Sequence, residues 1–561
     1  MVNVTTRPPT DWNSVDWRKA NRVVKNLRQR IFRASRQGDL KKVRSLQRLM
    51  LRSYSNTLVG VRRVTQVNQG RNTPGVDKLV VKTPERRAQL VDHLMTFQPW
   101  QPKPTRRVYI PKAKGKRRPL GIPTIVDRAV QARVKNALEP FWEAKFEGSS
   151  YGFRPGRSCH DAIGKIYRLA RPNMRKKWVL DADIKGAFDN IDHEHLLDAI
   201  GNFPARELIR QWLKAGYMED GLEYDTVMGT PQGGVISPLL ANIALHGMED
   251  ALGVTYNNRG QLRCTRAVVR YADDFVVFCE TKEDTEQVQH TLVEWLGQRG
   301  LTLSPEKTRI VHVTEGFDFL GFNIRHYKAP KTTTGWKLHI KPSDESVKRI
   351  RVKLRREWYK ALGHKLSDKL PHLNSVIRGW ANYFRSSVAS AIFKKLDDWM
   401  YKRQWRYVKR THKEKPSKWC VERYWGQLNP QRDDHWVFGD KQTGNYLLKF
   451  AWFPIRRHIM VKGTASPDDS DLKEYWADRL QAKSRSLTAK KRQVARNQDH
   501  VCPRCGEDLF NDEEIQEHHV DPKGGDGVEN LQLVHLYCHQ QITAQQATER
   551  ANERRRRTAT L

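Results

Sequence analysis

Two short runs of β-branched and aromatic residues carry acids at fixed offsets, and no other pattern narrows the possible folds of this chain as much. Residues 266–280 read RAVVRYADDFVVFCE, with apolar runs at 268–269 and 275–278 flanking a turn that presents Tyr271, Ala272, Asp273 and Asp274. Neighbouring carboxylates repel each other and stay ionised only where a cation neutralises them, commonly Mg2+ with its preference for oxygen. Taken alone, Asp-Asp is also an ordinary turn pair. The second run, WVLDADI at 178–184, changes the odds. Period-two alternation puts Trp178, Leu180, Ala182 and Ile184 on one face and Val179, Asp181 and Asp183 on the other. Set beside the later turn, this strand supplies a third carboxylate. Three can hold two divalent ions about 3.5–4 Å apart, the geometry for in-line displacement at phosphorus. Periodicity does not choose between Asp181 and Asp183, and Asp189 and Asp192 follow closely enough to compete.

The charge balance points to the partner. Lys and Arg total 101 against 62 acids, a formal charge of +39. A small domain usually carries a net charge of magnitude about 2–8, so this excess calls for a polyanion, nucleic acid first and an anionic membrane surface second. No apolar stretch approaches the ~18 residues of a spanning helix, and the start, MVNVTTRPPTDW, lacks the apolar core of a secretory signal. Seven cysteines, scattered apart from Cys502 and Cys505, do not make a disulfide framework and fit a reducing compartment. A cytoplasmic protein without a membrane partner is expected, and 561 residues leave room for three or four domains.

DIKGAFDNIDH at 183–193, GTPQGGVISPLLANI at 229–243 and YADDF at 271–275 resemble, in order, the reverse transcriptases encoded within mobile group II introns. The resemblance continues through IPKAKGKRRPLGIPTIVDRAVQ at 110–131, SSYGFRPGRS at 149–158, LTLSPEKTRIVH at 301–312, FDFLGFNI at 317–324 and IRGWANYF at 377–384, covering nearly the whole chain. It implies a multidomain α/β protein: a right-hand polymerase with fingers, a palm built on an antiparallel sheet, and a helical thumb. It also implies that Asp183, Asp273 and Asp274 hold two Mg2+ ions. The hairpin of 105–128, with the basic tip KAKGKRR, becomes the fingers hairpin, where Lys112 and Arg118 meet the incoming deoxynucleoside triphosphate. Phe188 becomes the bulky ring that excludes a 2′ hydroxyl, because close packing leaves no room for an added oxygen. Gln232, in TPQGG, supports the nucleotide sugar, while Gly233 and Gly234 permit close backbone approach.

Around these blocks the chain reads as basic helices. Residues 17–37 put Val24, Leu27 and Ile31 on one face, ending near Gly38; Asp39 then caps a second helix with Leu40, Val43, Leu46 and Leu49 at three-residue steps. By position the pair resembles the family's amino-terminal extension, which helps hold template and RNA. Residues 343–360 set Val347, Ile350, Leu354 and Trp358 on one face among many cations, a thumb or maturase helix by resemblance, gripping the template–primer duplex and binding intron RNA. Residues 400–465 interleave aromatics with cations, as in YKRQWRYVKR, which suits base stacking and phosphate contact or equally a small basic core. TASPDDSD at 464–471 reads as a flexible joint.

The last segment has chemistry of its own: CPRC at 502–505, EHHVDPKGGDG at 517–527, Asn530, and HLYCH at 535–539. Cys502 with Cys505 and His535 with Cys538 form two half-sites with two-residue gaps, the spacing of a structural tetrahedral Zn2+. The residues between resemble an HNH endonuclease, a small zinc-bound ββα module. The resemblance implies that His519 is the base activating water, that His518 and His539 ligate one catalytic divalent ion, and that Asn530 fixes the loop. Many members carry a further metal-binding histidine four residues past the last one, where this chain has Thr543.

The expected organisation is a helical extension over 1–65, fingers and palm over 66–330, a thumb or maturase region over 331–425, a DNA-binding region and linker over 426–490, and the nuclease over 491–561. The expected function combines RNA-directed DNA synthesis, binding of group II intron RNA to assist splicing, and nicking of target DNA to create the primer. Two alternatives stand beside it: a splicing maturase with vestigial catalytic sites, and a non-mobile reverse transcriptase recruited for defence.

Overall fold

Asp16 and Asp39 decide where the chain's first two helices begin, each accepting a hydrogen bond from the backbone N–H three residues on, at Lys19 and Lys42. In the computed structural model, which describes residues 8–96, 100–111, 117–485, 487–511, 513–522 and 524–559, these are α1 (Trp17–Arg36) and α2 (Leu40–Arg52). Gly38, at φ +73°, turns the corner between them. Ser53 caps α3 (Tyr54–Arg62), and α4 (Pro84–Met95) follows. The expected stripe of α2 is partly corrected. Val43 and Leu46 are buried, but Leu40 and Leu49 are half exposed, and Gln47 and Met50 take their places. Strict three-residue steps drift off one face of a helix of 3.6 residues per turn, whereas 43, 46, 47 and 50 stay on it.

The first helices pack on α5 (Ile125–Glu143), which follows the hairpin of β1 (Thr105–Pro111) and β2 (Arg117–Ile122). Next come β3 (Trp178–Asp183), β4 (Tyr217–Glu219) and β5 (Leu222–Tyr224), then β6 (Ala267–Tyr271), β7 (Asp274–Cys279) and β8 (Arg309–His312). One sheet has the order β2-β1-β4-β5; the other, β6-β7-β3-β8, is antiparallel throughout. β3 stops at Asp183, one residue short of the expected run, and Ile184 bridges to Leu303 instead. The second sheet separates two cores. Leu180, Ala182, Val268, Phe275 and Val277 face the amino-terminal helices; Val179, Val269, Val276 and Phe278 face the later half of the chain. Burial on both faces explains why β6 and β7 read as nearly continuous apolar runs.

The later half begins with β9 (Phe317–Phe319), β10 (Phe322–Lys328) and β11 (Trp336–Pro342). The boundary expected between 330 and 331 falls inside the hairpin joining β10 to β11. Three helices follow, Asp344–Lys360, Leu366–Phe384 and Ser390–Thr411. The first buries Ile350, Leu354 and Trp358 of its expected stripe, while Val347 is only partly buried against the same core. Much of the aromatic content of 400–465 is core: Tyr407, Tyr424, Trp425, Phe438 and Phe450 are buried, around the small sheet of β12 (Trp425–Gly426), β13 (Val437–Asp440) and β14 (Asn445–Tyr446).

The joint expected at 464–471 is corrected outright. Asp468 accepts a two-pronged hydrogen bond from Arg28 of α1 at 2.8 and 2.7 Å, and Asp469 pairs with Arg36 at 2.8 Å. Its acids, polar enough to suggest a linker, are the anchors that tie this segment to α1. The chain ends in β15 (Ile515–His519), β16 (Leu531–His535) and the helix Leu536–Ala559, a ββα unit. No helix among the described residues is long and apolar enough to cross a membrane.

The loop 149–154 is fixed by Arg154, whose guanidinium meets Glu143 at 3.0 Å through both Nε and Nη2 and also donates to the carbonyls of Glu147 and Ser150. Both side chains of the ion pair are 1% exposed. Removing one partner strands a buried charge, so Glu143→Ala is expected to cost about 3–5 kcal/mol, read as a lowered urea midpoint. An unchanged midpoint contradicts the anchoring role.

Candidate functional site

The register of β3 against β7 separates the two candidate acids. Asp183 lies directly opposite Asp274, whereas Asp181 lies opposite Val276 on one side and Arg309 on the other. Arg309 donates to Asp181 at 3.0 Å. On the hairpin, Tyr271 pairs with Asp274, so Ala272 and Asp273 form a two-residue turn, and Ala272 takes a left-handed backbone at φ +58°. That turn is braced from behind. Arg270, 2% exposed, donates to Asn242 Oδ1 and to the Ala272 carbonyl, and Asn242 in turn donates to the Gly152 carbonyl. The Tyr151 N–H donates to the Arg270 carbonyl and the Arg270 N–H to the Ser149 carbonyl, bringing Gly152 against Ala272 so closely that a Cβ there would overlap the Ala272 nitrogen.

Charge accumulates at this sheet end. Burial first, then contact with Asp183 and the charge of Asp273, pushes the Asp274 carboxyl up to about 8. Burial also raises Asp273, against the partial relief of Arg118 and Lys307. Lys307 donates to Asp183 Oδ2 at 2.5 Å. Half-buried acids pressed together with so few cations form a donor set that fits divalent metal, because added positive charge relieves the repulsion. The three acids do not close into a tight cage; among the described residues only the cysteine cluster described below brings three or more ligand atoms within 4.8 Å of one another.

Other expected site residues gather at the same end. Phe188 sits in the short turn after β3, its ring edge-on to Phe153 with centroids 6.2 Å apart. Its carbonyl accepts from the Thr230 N–H at 2.6 Å, which seats the TPQGG loop on that turn. Gln232 Nε2 reaches Asp189 at 3.4 Å, and its carbonyl accepts from the Gly121 N–H of β2. Arg118 is exposed on β2, within electrostatic reach of Asp273. Lys112 lies outside the described residues.

In the carboxyl-terminal unit, Cys502, Cys505, His535 and Cys538 are all buried with their ligand atoms within 4.8 Å of one another, a set that fits tetrahedral zinc. Arg62 of α3, itself 6% exposed, donates to Cys538 Sγ at 3.0 Å and lies 4.6 Å over the Trp17 ring. Asn21 of α1 donates to the Cys505 carbonyl at 2.9 Å, and Gln541 donates to the carbonyls of Asn13 and Val15. The cluster is therefore shared between the two ends of the chain. His518 faces His539 with ring centroids 5.3 Å apart, and burial, then the charges of His539 and His519, lowers the His518 pKa, favouring the neutral imidazole that metals bind. His519, on the opposite face of β15, contacts Asp526 at 2.8 Å. Asn530 holds the intervening loop, donating to the carbonyls of Asp521 and Gly525 and accepting from the Asp521 N–H. Thr543 turns its hydroxyl back to the His539 carbonyl.

Sequence reasoning missed Lys307, Gly152, Arg62 and Asp526. Only Lys307 left a trace: Lys307 and Arg309 stand two apart, as do the Asp181 and Asp183 they meet. The other three depend on contacts between segments remote in the sequence or on loop closure.

Four family models match the chain: Reverse transcriptase (RNA-dependent DNA polymerase) over 110–324, N-terminal domain of reverse transcriptase over 12–94, Group II intron, maturase-specific domain over 347–425, and HNH endonuclease over 502–545. Protein YkfC of Escherichia coli (strain K12) is 38% identical over 317 residues, covering 50% of this chain and 83% of that one. Group II intron-encoded protein LtrA of Lactococcus lactis subsp. cremoris is 34% identical over 320 residues, covering 46% of this chain and 53% of LtrA. An uncharacterized 91 kDa protein in the cob intron of Schizosaccharomyces pombe is 30% identical over 357 residues, 50% of this chain and 43% of its own. The chain thus spans about half the length of these last two relatives.

Because Arg62 donates to a cysteine that fits a zinc ligand, Arg62→Gln is expected to weaken zinc retention by roughly 10–100-fold, measured by competition with a chromogenic chelator. Stripping the metal from the full chain should speed amide exchange in α1 and α3 as well as in 502–538. Exchange confined to 502–538 shows instead that the two ends are independent.

Proposed function

Because the chain belongs to the group II intron-encoded reverse transcriptases and maturases with a carboxyl-terminal HNH domain, we propose that it copies intron RNA into DNA from a primer that its own nuclease creates. The observation that carries the polymerase half is the register placing Asp183 opposite Asp274, with Asp273 in the adjoining turn. Two Mg2+ ions held by these three carboxylates would supply activation of the primer 3′ hydroxyl and neutralisation of the leaving pyrophosphate. The chain's own residues do the rest. Arg118, exposed on its hairpin, meets the triphosphate and offsets charge on the leaving group. Lys112, by family resemblance, is a second cation for the phosphates. Phe188, its turn pinned by Thr230, closes the space beside the 2′ carbon and so selects deoxynucleotides. Gln232, tied to both β2 and the Phe188 turn, supports the sugar.

In the nuclease, His519 takes the proton from the attacking water, and Asp526, hydrogen-bonded to its Nε2, orients the ring. His518 and His539 form the ligand pair for one divalent ion. Asn530 keeps the loop between them in shape. Cys502, Cys505, His535 and Cys538 would hold a structural zinc, since four buried protein ligands would leave it no open position for substrate. The strongly basic helices after β11 bind the intron RNA and assist its splicing as a binding function, the RNA performing that chemistry itself. Intron RNA, target DNA and deoxynucleoside triphosphates are the partners.

Asp273→Asn is expected to abolish primer extension on an RNA template while leaving RNA affinity unchanged. His519→Ala should lower the nicking rate by roughly 10²–10⁴-fold without slowing extension from a supplied primer. Loss of both activities in either single variant refutes two independent active sites.

A further inference from the structure

We propose that a cleft between the helices Asp344–Lys360 and Ser390–Thr411 holds one unpaired RNA nucleotide, its phosphate on arginines and its base against aromatic rings. The inference deepens the RNA-binding reading above and rests on it. The cleft has a volume of about 500 Å3 and is rimmed by Arg355, Arg403, Arg406 and Arg410. Arg403, Arg406 and Arg410 recur at three- and four-residue steps, so one helix face presents all three, opposite Arg355 on the other helix. Among the described residues none of the four pairs with a carboxylate. Burial, then the charges of Arg406, Arg355 and Arg410, lowers the pKa of Arg403, as expected where cations face cations. A phosphate would relieve that repulsion, and guanidinium forks match its oxygens.

The floor is a different chemistry. Trp358 and Tyr407, both buried, lie 5.6 Å apart between ring centroids, and Tyr359 stands at the mouth with 70% of its surface exposed. The buried indole N–H of Trp358 and the Nε of Arg403 have no hydrogen-bond partner, leaving donors for a base or sugar. A space of this size admits one nucleotide and no duplex, and aromatic rings beside cations stack any unpaired base. RNA is favoured over DNA because every lining residue falls within 347–425, the stretch matched by the group II intron maturase-specific model.

The test uses the full chain and a short single-stranded oligouridylate carrying a photoreactive thiouridine, with crosslinked peptides mapped by mass spectrometry. A crosslink in the peptide containing Tyr359 is expected. It should fall by about tenfold in the Arg403→Gln, Arg406→Gln double variant, which removes two charge-assisted contacts, and similarly in Tyr359→Ala, an exposed position whose change spares the core. Melting curves exclude unfolding as the cause. A parent chain that extends primers but gives no crosslink there overturns this inference alone; a parent that neither binds RNA nor extends overturns the proposed function. Equal crosslinking by the same oligouridylate annealed to oligoadenylate, or by its deoxy counterpart, or full competition by inorganic phosphate, also overturns it.

Discussion

Backbone pairing of Asp183 with Asp274 forces like charges together, and much of the surrounding structure resists the separation they favour. Hydrogen bonds of an antiparallel ladder fix the register, and a one-residue slip would send Asp183 to the opposite face and replace it with Ala182 or Ile184. The hairpin turn is held by a second layer in which Arg270, Asn242 and Gly152 close on the Ala272 backbone. Arg154 and Glu143 form a third, deeper layer that fixes the loop bearing Gly152. An arrangement that repels itself at its centre needs rigidity behind it, and here the rigidity comes from buried, hydrogen-bonded polar groups as well as from apolar contact.

The two ends of the chain meet through the same kind of contact. Arg28 of α1 satisfies both Glu139 of α5 and Asp468, so the strand of chain leading to the nuclease is bonded to the layer that begins the polymerase. Arg62 does the same at the cysteine cluster, where it reaches Cys538 and, at 3.7 Å, Glu513. Arg62 is buried and Arg28 is largely shielded, its acid partners buried, so breaking either contact is costly.

How far the sequence spoke for itself varied with the range of the interaction concerned. Alternation in 178–184 and the apolar runs around Asp273 and Asp274 follow from local backbone geometry, and the strands and turn lie where that geometry puts them. The cysteine half-sites were equally legible, because two-residue gaps are a local constraint. Choosing Asp183 over Asp181 needed a register between segments some ninety residues apart, which no periodicity contains. The tethering of 464–471 was misread for a related reason: acids beside Ser and Pro signal a linker until a buried arginine from α1 is known to be waiting for them. In 400–465 Tyr407 belongs to the core and also floors the cleft that Arg403, Arg406 and Arg410 line, and composition does not divide one role from the other.

The docking of Gln541 and Gln545 onto Asn13, together with the Arg28 and Arg62 contacts, has a practical corollary. The tail of the polypeptide roofs the hydrophobic underside of its beginning, with Cys538 and Leu533 sharing one continuous interior with Val24 and Leu27. Trimming the nuclease to obtain a smaller polymerase would therefore peel a wall from the first helices and leave greasy surface bare, whereas cutting a surface loop between the halves would yield two fragments that still travel together.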